Sequence, residues 1–131
     1  MIYTLEIENV TNPKQLSPLT MAFLGDAVFE LLVREELIKK GDAPVNKLHK
    51  DAVKMVCASA QHKAMEILMP ILTEEEISIF KRGRNTHNNV PKNADPSEYR
   101  AATGLETLFG FLHIKGDNNR IKELFDIIIS D

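Results

Sequence analysis

Two carboxylates stand where a packed helix has little use for a charge. Asp26 lies in Phe23-Leu24-Gly25-Asp26-Ala27-Val28-Phe29-Glu30-Leu31-Leu32, with apolar residues on both sides and a glycine beside it. Glu106 lies in Tyr99-Arg100-Ala101-Ala102-Thr103-Gly104-Leu105-Glu106-Thr107-Leu108-Phe109-Gly110, again among apolar residues, with Gly104 and Gly110 near it. Glycine weakens a helix interior, and local violations of this kind tend to mark function. The chemistry that uses an Asp and a Glu at the edge of a core is metal binding. Mg²⁺ takes one or two carboxylates, keeps several waters and completes its shell with substrate phosphate oxygens. Its bound water is a better nucleophile, and the ion neutralises charge developing on phosphorus oxygens. Phosphodiester hydrolysis fits this pair better than acyl transfer, because the chain has no nucleophile elbow, no Cys–His arrangement and no Walker loop. The plainer alternative for Asp26 is a place on the wet edge of its helix.

Helices must position these groups. Ser17-Pro18 is a helix start, Ser as cap and Pro at the first helical position. The first helix then runs to about Lys40, where Gly41 ends it. Its apolar stripe reads Leu24, Val28, Leu31 and Leu32, widened by Phe23 and Ala27, and Glu30 and Arg34 form an i,i+4 pair. A second helix is expected from Val45 to Leu72 with a break near Pro70, burying Leu48, Val53, Val56, Ala60, Ala64, Ile67 and Leu68. Its opposite face (Lys47, His49, Lys50, Lys54, His62, Lys63) reads as a solvated face, with phosphate contact as the alternative. No His or adjacent His-Asp pair is spaced to join His49 or His62 in a metal site. Thr73-Glu74-Glu75-Glu76 is a capping box opening a third helix. A helix from about Ser97, as cap, to His113 carries Glu106, and its small residues at 101–104 admit a close neighbour, for which Gly25 is the candidate. A last helix spans about Asn118 to Ile129 after the break at Gly116-Asp117. Residues 1–16, with Tyr3, Leu5 and Ile7 alternating but no second strand to pair with, read as an extended arm. The fold class is therefore all-α.

One long loop interrupts this pattern. Residues 83–96 have no apolar period, two prolines and four asparagines. Loops of this length inside a compact domain are functional or disordered, and amides with cations suit phosphates, sugar hydroxyls and base edges. The whole chain carries a net charge of −3, but Lys81 to Arg100 holds five basic residues and two acidic ones, +3 locally against −6 elsewhere. Such a patch on an acidic body steers a polyanion. At 131 residues, 44% hydrophobic, the chain reads as one domain, 1–131. Its single cysteine, Cys57, reads as a buried small hydrophobe in a reducing compartment. The N-terminus has no signal-peptide pattern and no apolar run approaches a membrane span, which points to the cytoplasm.

These motifs carry a resemblance over nearly the whole chain. Phe23-Leu24-Gly25-Asp26 resembles the signature that opens the nuclease helix of the ribonuclease III family. The Arg100–Gly110 run resembles its second motif, in which an Asp and a Glu three residues apart precede a Gly. One nuclease domain with no double-stranded-RNA-binding domain after it is similar to the Mini-ribonuclease III class. Full-length members have a Glu four residues before the motif Asp and an Asp three before the motif Glu. Here those positions are Ala22 and Thr103, so Asp26 and Glu106 remain of four carboxylates, a reduction the Mini class shares.

The resemblance implies an all-helical homodimer that cuts both strands of double-stranded RNA with Mg²⁺, Mn²⁺ serving in its place. It implies Asp26 and Glu106 as catalytic metal ligands and maturation of the large-subunit (23S) ribosomal RNA precursor, with a ribosomal protein as a plausible helper. The family packs a Phe into the partner subunit, which assigns Phe23 to the dimer interface, an ordinary core Phe being the alternative. It also places an RNA-contacting loop at Lys81–Arg100, making Arg82, Arg84, Asn85, Lys92 and Arg100 candidates for phosphate or groove contacts. Two rivals remain open: a catalytically weak RNA-binding helical dimer, and an all-α nucleotide pyrophosphatase. The second sits poorly with Glu35-Glu36 and Glu74-Glu75-Glu76, which are runs rather than a spaced E-x-x-E array.

Overall fold

The computed structural model describes residues 12–86 and 89–131. The expected arm around Tyr3, Leu5 and Ile7, and His87 and Asn88 of the loop, lie outside the described residues. The rest is all-helical: α1 (Pro18–Lys39), α2 (Val45–Val56), α3 (Ala58–Leu68), α4 (Glu74–Arg84), α5 (Pro96–Lys115) and α6 (Asn118–Ser130), with 3₁₀ turns at Pro13–Gln15 and Met69–Ile71. Among the described residues no helix is long and apolar enough to cross a membrane.

α5 is the axis of the molecule, packed by α1, α3, α4 and α6. From Ala101 to Leu112 every residue is buried except Glu106. A helix apolar on all sides belongs in the middle of a core. Phe29 of α1 ties this core together, its ring edge-on to Phe109 at 5.4 Å and to Phe125 of α6 at 5.8 Å.

Local capping chemistry placed several ends correctly. Ser17 Oγ accepts from Thr20 N–H at 3.1 Å, and both halves of the Thr73–Glu76 capping box are made. The turns after α1 and α5 use Gly41 and Gly116 at φ +121° and +83°, a region that suits glycine. Other expectations are corrected. Asp95, not Ser97, caps α5: its Oδ1 accepts from the Ser97 and Glu98 N–H groups, and Pro96 takes the first helical position. The long loop starts later than residue 83, because α4 continues to Arg84.

The expected single helix over Val45–Leu72 is two helices. Cys57 adopts an extended conformation (φ −65°, ψ 158°) and breaks it. No glycine or proline marks the spot. The break lets α2 lie on α1 while α3 lies on α5, and packing outweighs propensity here. Cys57 is consequently a half-buried corner residue, its Sγ near Ser59 Oγ, rather than a core hydrophobe.

The buried stripe of α1 is also turned from the expected one. Met21, Ala22, Gly25, Val28, Phe29, Val33 and Leu37 face inward. Ala27 is exposed, Leu31 is 42% exposed and Phe23 is 84% exposed. Contact with α5 decides the orientation. A Cβ on Gly25 would run into the Glu106 carbonyl, and one on Gly110 into the Met21 carbonyl. Gly25 therefore meets Glu106 and Gly110, not the 101–104 segment. Gly104 instead faces Phe80 of α4.

Candidate active site

The glycine contact between α1 and α5 builds the site. It brings the two backbones together at the level of Gly25, Glu106 and Gly110, and the next residue on α1 is Asp26. Asp26 is exposed and Glu106 is half-buried at the rim of the core. The two carboxyls lie against each other. Burial first, then the negative charge of Asp26 and the contact with it, push the Glu106 carboxyl up to about 8, and the adjacent Gln61 amide draws it partly back. Both effects penalise a second negative charge in the same place.

This donor set fits a hard divalent cation. A cation beside the pair reverses the like-charge penalty, and one or two carboxylates are the protein share of a Mg²⁺ shell. Among the described residues no three His, Cys, Asp or Glu side chains cluster as a metal site, so such an ion would be held by the pair with water and substrate oxygens. The two positions without carboxylates supply no replacement charge. Ala22 is buried in the α1 packing face, and the Thr103 hydroxyl donates to Tyr99 O at 3.1 Å within its own helix.

The basic candidates separate into two groups. Arg82 is a structural residue. Its Nη1 donates to Lys14 O at 3.1 Å and its Nη2 to Leu16 O at 3.0 Å. It fastens the segment before α1 to α4, and we remove it from the RNA-contacting set. Arg84 lies over the Phe80 ring at 5.6 Å and its Nε donates to Asn85 Oδ1. Asn85, Lys92 and Arg100 are exposed. Phe23 is no core residue. It stands three positions before Asp26 in an exposed apolar row of α1 that continues through Ala27, Leu31 and Ile38, the last 67% exposed.

Sequence reading missed Gln61 and Arg120. Gln61 is buried on α3 beside Glu106. Its only sequence signal is an amide in the alanine-rich Ala58-Ser59-Ala60-Gln61 turn. Arg120 of α6 grips buried Glu76 with both Nε (2.8 Å) and Nη2 (2.7 Å), and supports the fold rather than the site.

The chain is similar to known proteins over most of its length. The model of the Ribonuclease III domain matches residues 19–117. The chain is 47% identical over 116 residues to Mini-ribonuclease 3 of Symbiobacterium thermophilum, covering 88% of this chain and 89% of that protein. It is 45% identical over 118 residues to Mini-ribonuclease 3 of Brevibacillus brevis, covering 89% and 88%. The crystal structure of protein FN1578 from Fusobacterium nucleatum superposes with a TM-score of 0.85 at 30% identity, over 92% of this chain and all of that one. The helical core, the paired carboxylates and these matches together place the chain in the ribonuclease III family of endoribonucleases, in its Mini-ribonuclease III branch.

Proposed function

We propose that this chain is a Mg²⁺-dependent endoribonuclease that cleaves double-stranded RNA as a homodimer, with Asp26 and Glu106 as the catalytic, metal-holding pair. The observation that carries the reading is the meeting of these two carboxyls over the Gly25–Gly110 contact. A divalent cation bound there supplies an activated water and neutralises charge on the phosphate oxygens. The protein's own groups do the positioning. Asp26 faces solvent, where a phosphodiester can approach, while Glu106 is held at the core's edge by a rigid central helix. Arg84, Asn85, Lys92 and Arg100 offer donors to phosphates and grooves along the segment that carries the local positive charge.

Phe23 supports the dimer reading. A phenylalanine 84% exposed, in a row of exposed apolar residues, loses unfavourable water contact when a second copy covers it. Two sites related by a two-fold axis would cut the two strands of one duplex. The substrate we propose is the precursor of large-subunit (23S) ribosomal RNA in the cytoplasm, with a ribosomal protein as the helper that shapes it.

An end-labelled perfect duplex, incubated with the purified protein with and without Mg²⁺, tests the reading, with Asp26→Asn alongside. Metal-dependent cuts on both strands, lost in the variant, are expected. A duplex that is bound but left intact on every RNA offered, precursor ribosomal RNA included, would favour a catalytically weak RNA-binding dimer instead. The two positions lacking carboxylates, Ala22 and Thr103, are the features that would explain it.

A further inference from the structure

The described residues include four buried polar side chains: Gln61, Glu76, Thr103 and Thr107. Three are satisfied. Glu76 holds Arg120 and the Thr73 N–H, and the two threonine hydroxyls donate to Tyr99 O and Thr103 O. Gln61, only 3% exposed, is different: its Oε1 has no hydrogen-bond partner among the described residues. A buried acceptor left unpaired costs stability, so its retention asks for a donor not yet counted.

The geometry around the amide limits what that donor can be. Gln61 Nε2 donates to Val56 O at 3.0 Å. That carbonyl can only accept, so the nitrogen must face it and the oxygen must face away. The bond spans the break at Cys57 and holds the corner between α2 and α3, which fixes the side chain in place. The same amide lies against the Glu106 carboxyl. In the metal-free protein the protonated Glu106 carboxyl can donate to the amide oxygen. With a cation on the pair the carboxylate is ionised, and neither it nor a phosphodiester oxygen then carries a proton for the amide oxygen to accept. The amide oxygen can still accept from water, and side chains that bond a metal's waters orient its shell.

We propose that Gln61 is a third residue of the site, a positioning residue whose Oε1 accepts a hydrogen bond from a water on the divalent cation held by Asp26 and Glu106. This rests on the metal-site reading of that pair. The corner bond to Val56 O pre-sets the acceptor before the ion arrives. Gln61 thus couples the α2–α3 break, which has no breaker residue of its own, to the chemistry on α1 and α5.

The test is calorimetric titration of Mg²⁺ alone into the full chain, with thermal melts of each protein in parallel. Gln61→Met removes both the donor and the acceptor, whereas Gln61→Glu removes the donor to Val56 O but keeps an acceptor. Mg²⁺ affinity is expected to fall about 10- to 100-fold in Gln61→Met and to stay at the wild-type level or rise in Gln61→Glu. Equal losses in both variants would show a role through the corner bond only and overturn the proposal. Wild-type affinity in Gln61→Met would overturn it as well. Asp26→Asn is the control: if it binds Mg²⁺ as the wild type does, the carboxylate pair is not the site and the role of Gln61 falls with it. A weakened Asp26→Asn beside an unaffected Gln61→Met strikes the Gln61 proposal alone.

Discussion

Replacing Glu106 with glutamine should make the metal-free protein more stable at alkaline pH, although it removes a residue we propose to be catalytic. The carboxyl sits at about 8 in the folded chain against 4.5 ordinarily, chiefly through burial and then through Asp26. Between those two values the folded state keeps a proton that the unfolded state has released. Stability contributed by this group is therefore full below pH 4.5 and declines as the pH rises through 8. A tenfold change in proton affinity is worth about 1.4 kcal/mol, which sets a ceiling of roughly 5 kcal/mol on the loss. Relaxation and water at the rim reduce this to about 2–3 kcal/mol. For a chain of this size that corresponds to about 10 °C in melting temperature. The assay is thermal unfolding of wild type and Glu106→Gln from pH 5 to 9 in a chelator, then with Mg²⁺. The two should melt together near pH 5 and separate by about 10 °C at pH 8–9, the variant higher. Mg²⁺ should raise the wild type by mass action and leave the variant nearly unmoved. Parallel curves across the whole pH range in chelator would refute the reasoning, because they would mean that Asp26 and the core do not hold Glu106 in its neutral form.

Further outcomes follow from the packing and the surface. Gly110→Ala drives a methyl into the Met21 carbonyl, and should cost about 3 kcal/mol or more by separating α1 from α5; an unchanged urea midpoint would refute the close contact. Phe23→Ala should shift the protein toward monomer in sedimentation equilibrium without lowering protomer helicity, and a mass that does not fall on dilution would contradict the interface role. Arg84→Ala should weaken duplex RNA binding and reduce the slope of log affinity against log salt by about one. An unaltered slope would place Arg84 away from the phosphates.

What the sequence determined by itself was local. Ser17-Pro18, Thr73 with Glu76, Gly41 and Gly116 mark helix ends because each satisfies, or bends away from, backbone groups within a few residues of itself. Asp26 and Glu106 stand out in the sequence for a related reason: a charge close to a glycine in an apolar helix contradicts its own surroundings. Tertiary structure decided which sides of the helices are inside. α1 is apolar on more than one face, so spacing alone chose a stripe through Phe23 and Leu31. The buried stripe instead passes through Met21 and Gly25, because only there can the α1 backbone reach α5. The corner at Cys57 has no breaker residue and exists because α2 and α3 are held by different neighbours. Arg82 looks like any basic residue of its segment until the Lys14 and Leu16 carbonyls arrive from elsewhere in the chain. Gln61 likewise gains meaning only when Val56 fixes its nitrogen and the fold sets it against Glu106. Caps and turns are bonds between near neighbours and can be read along the chain. Burial, orientation and the partner of a polar atom depend on residues far away in sequence, and only the packed structure brings those together.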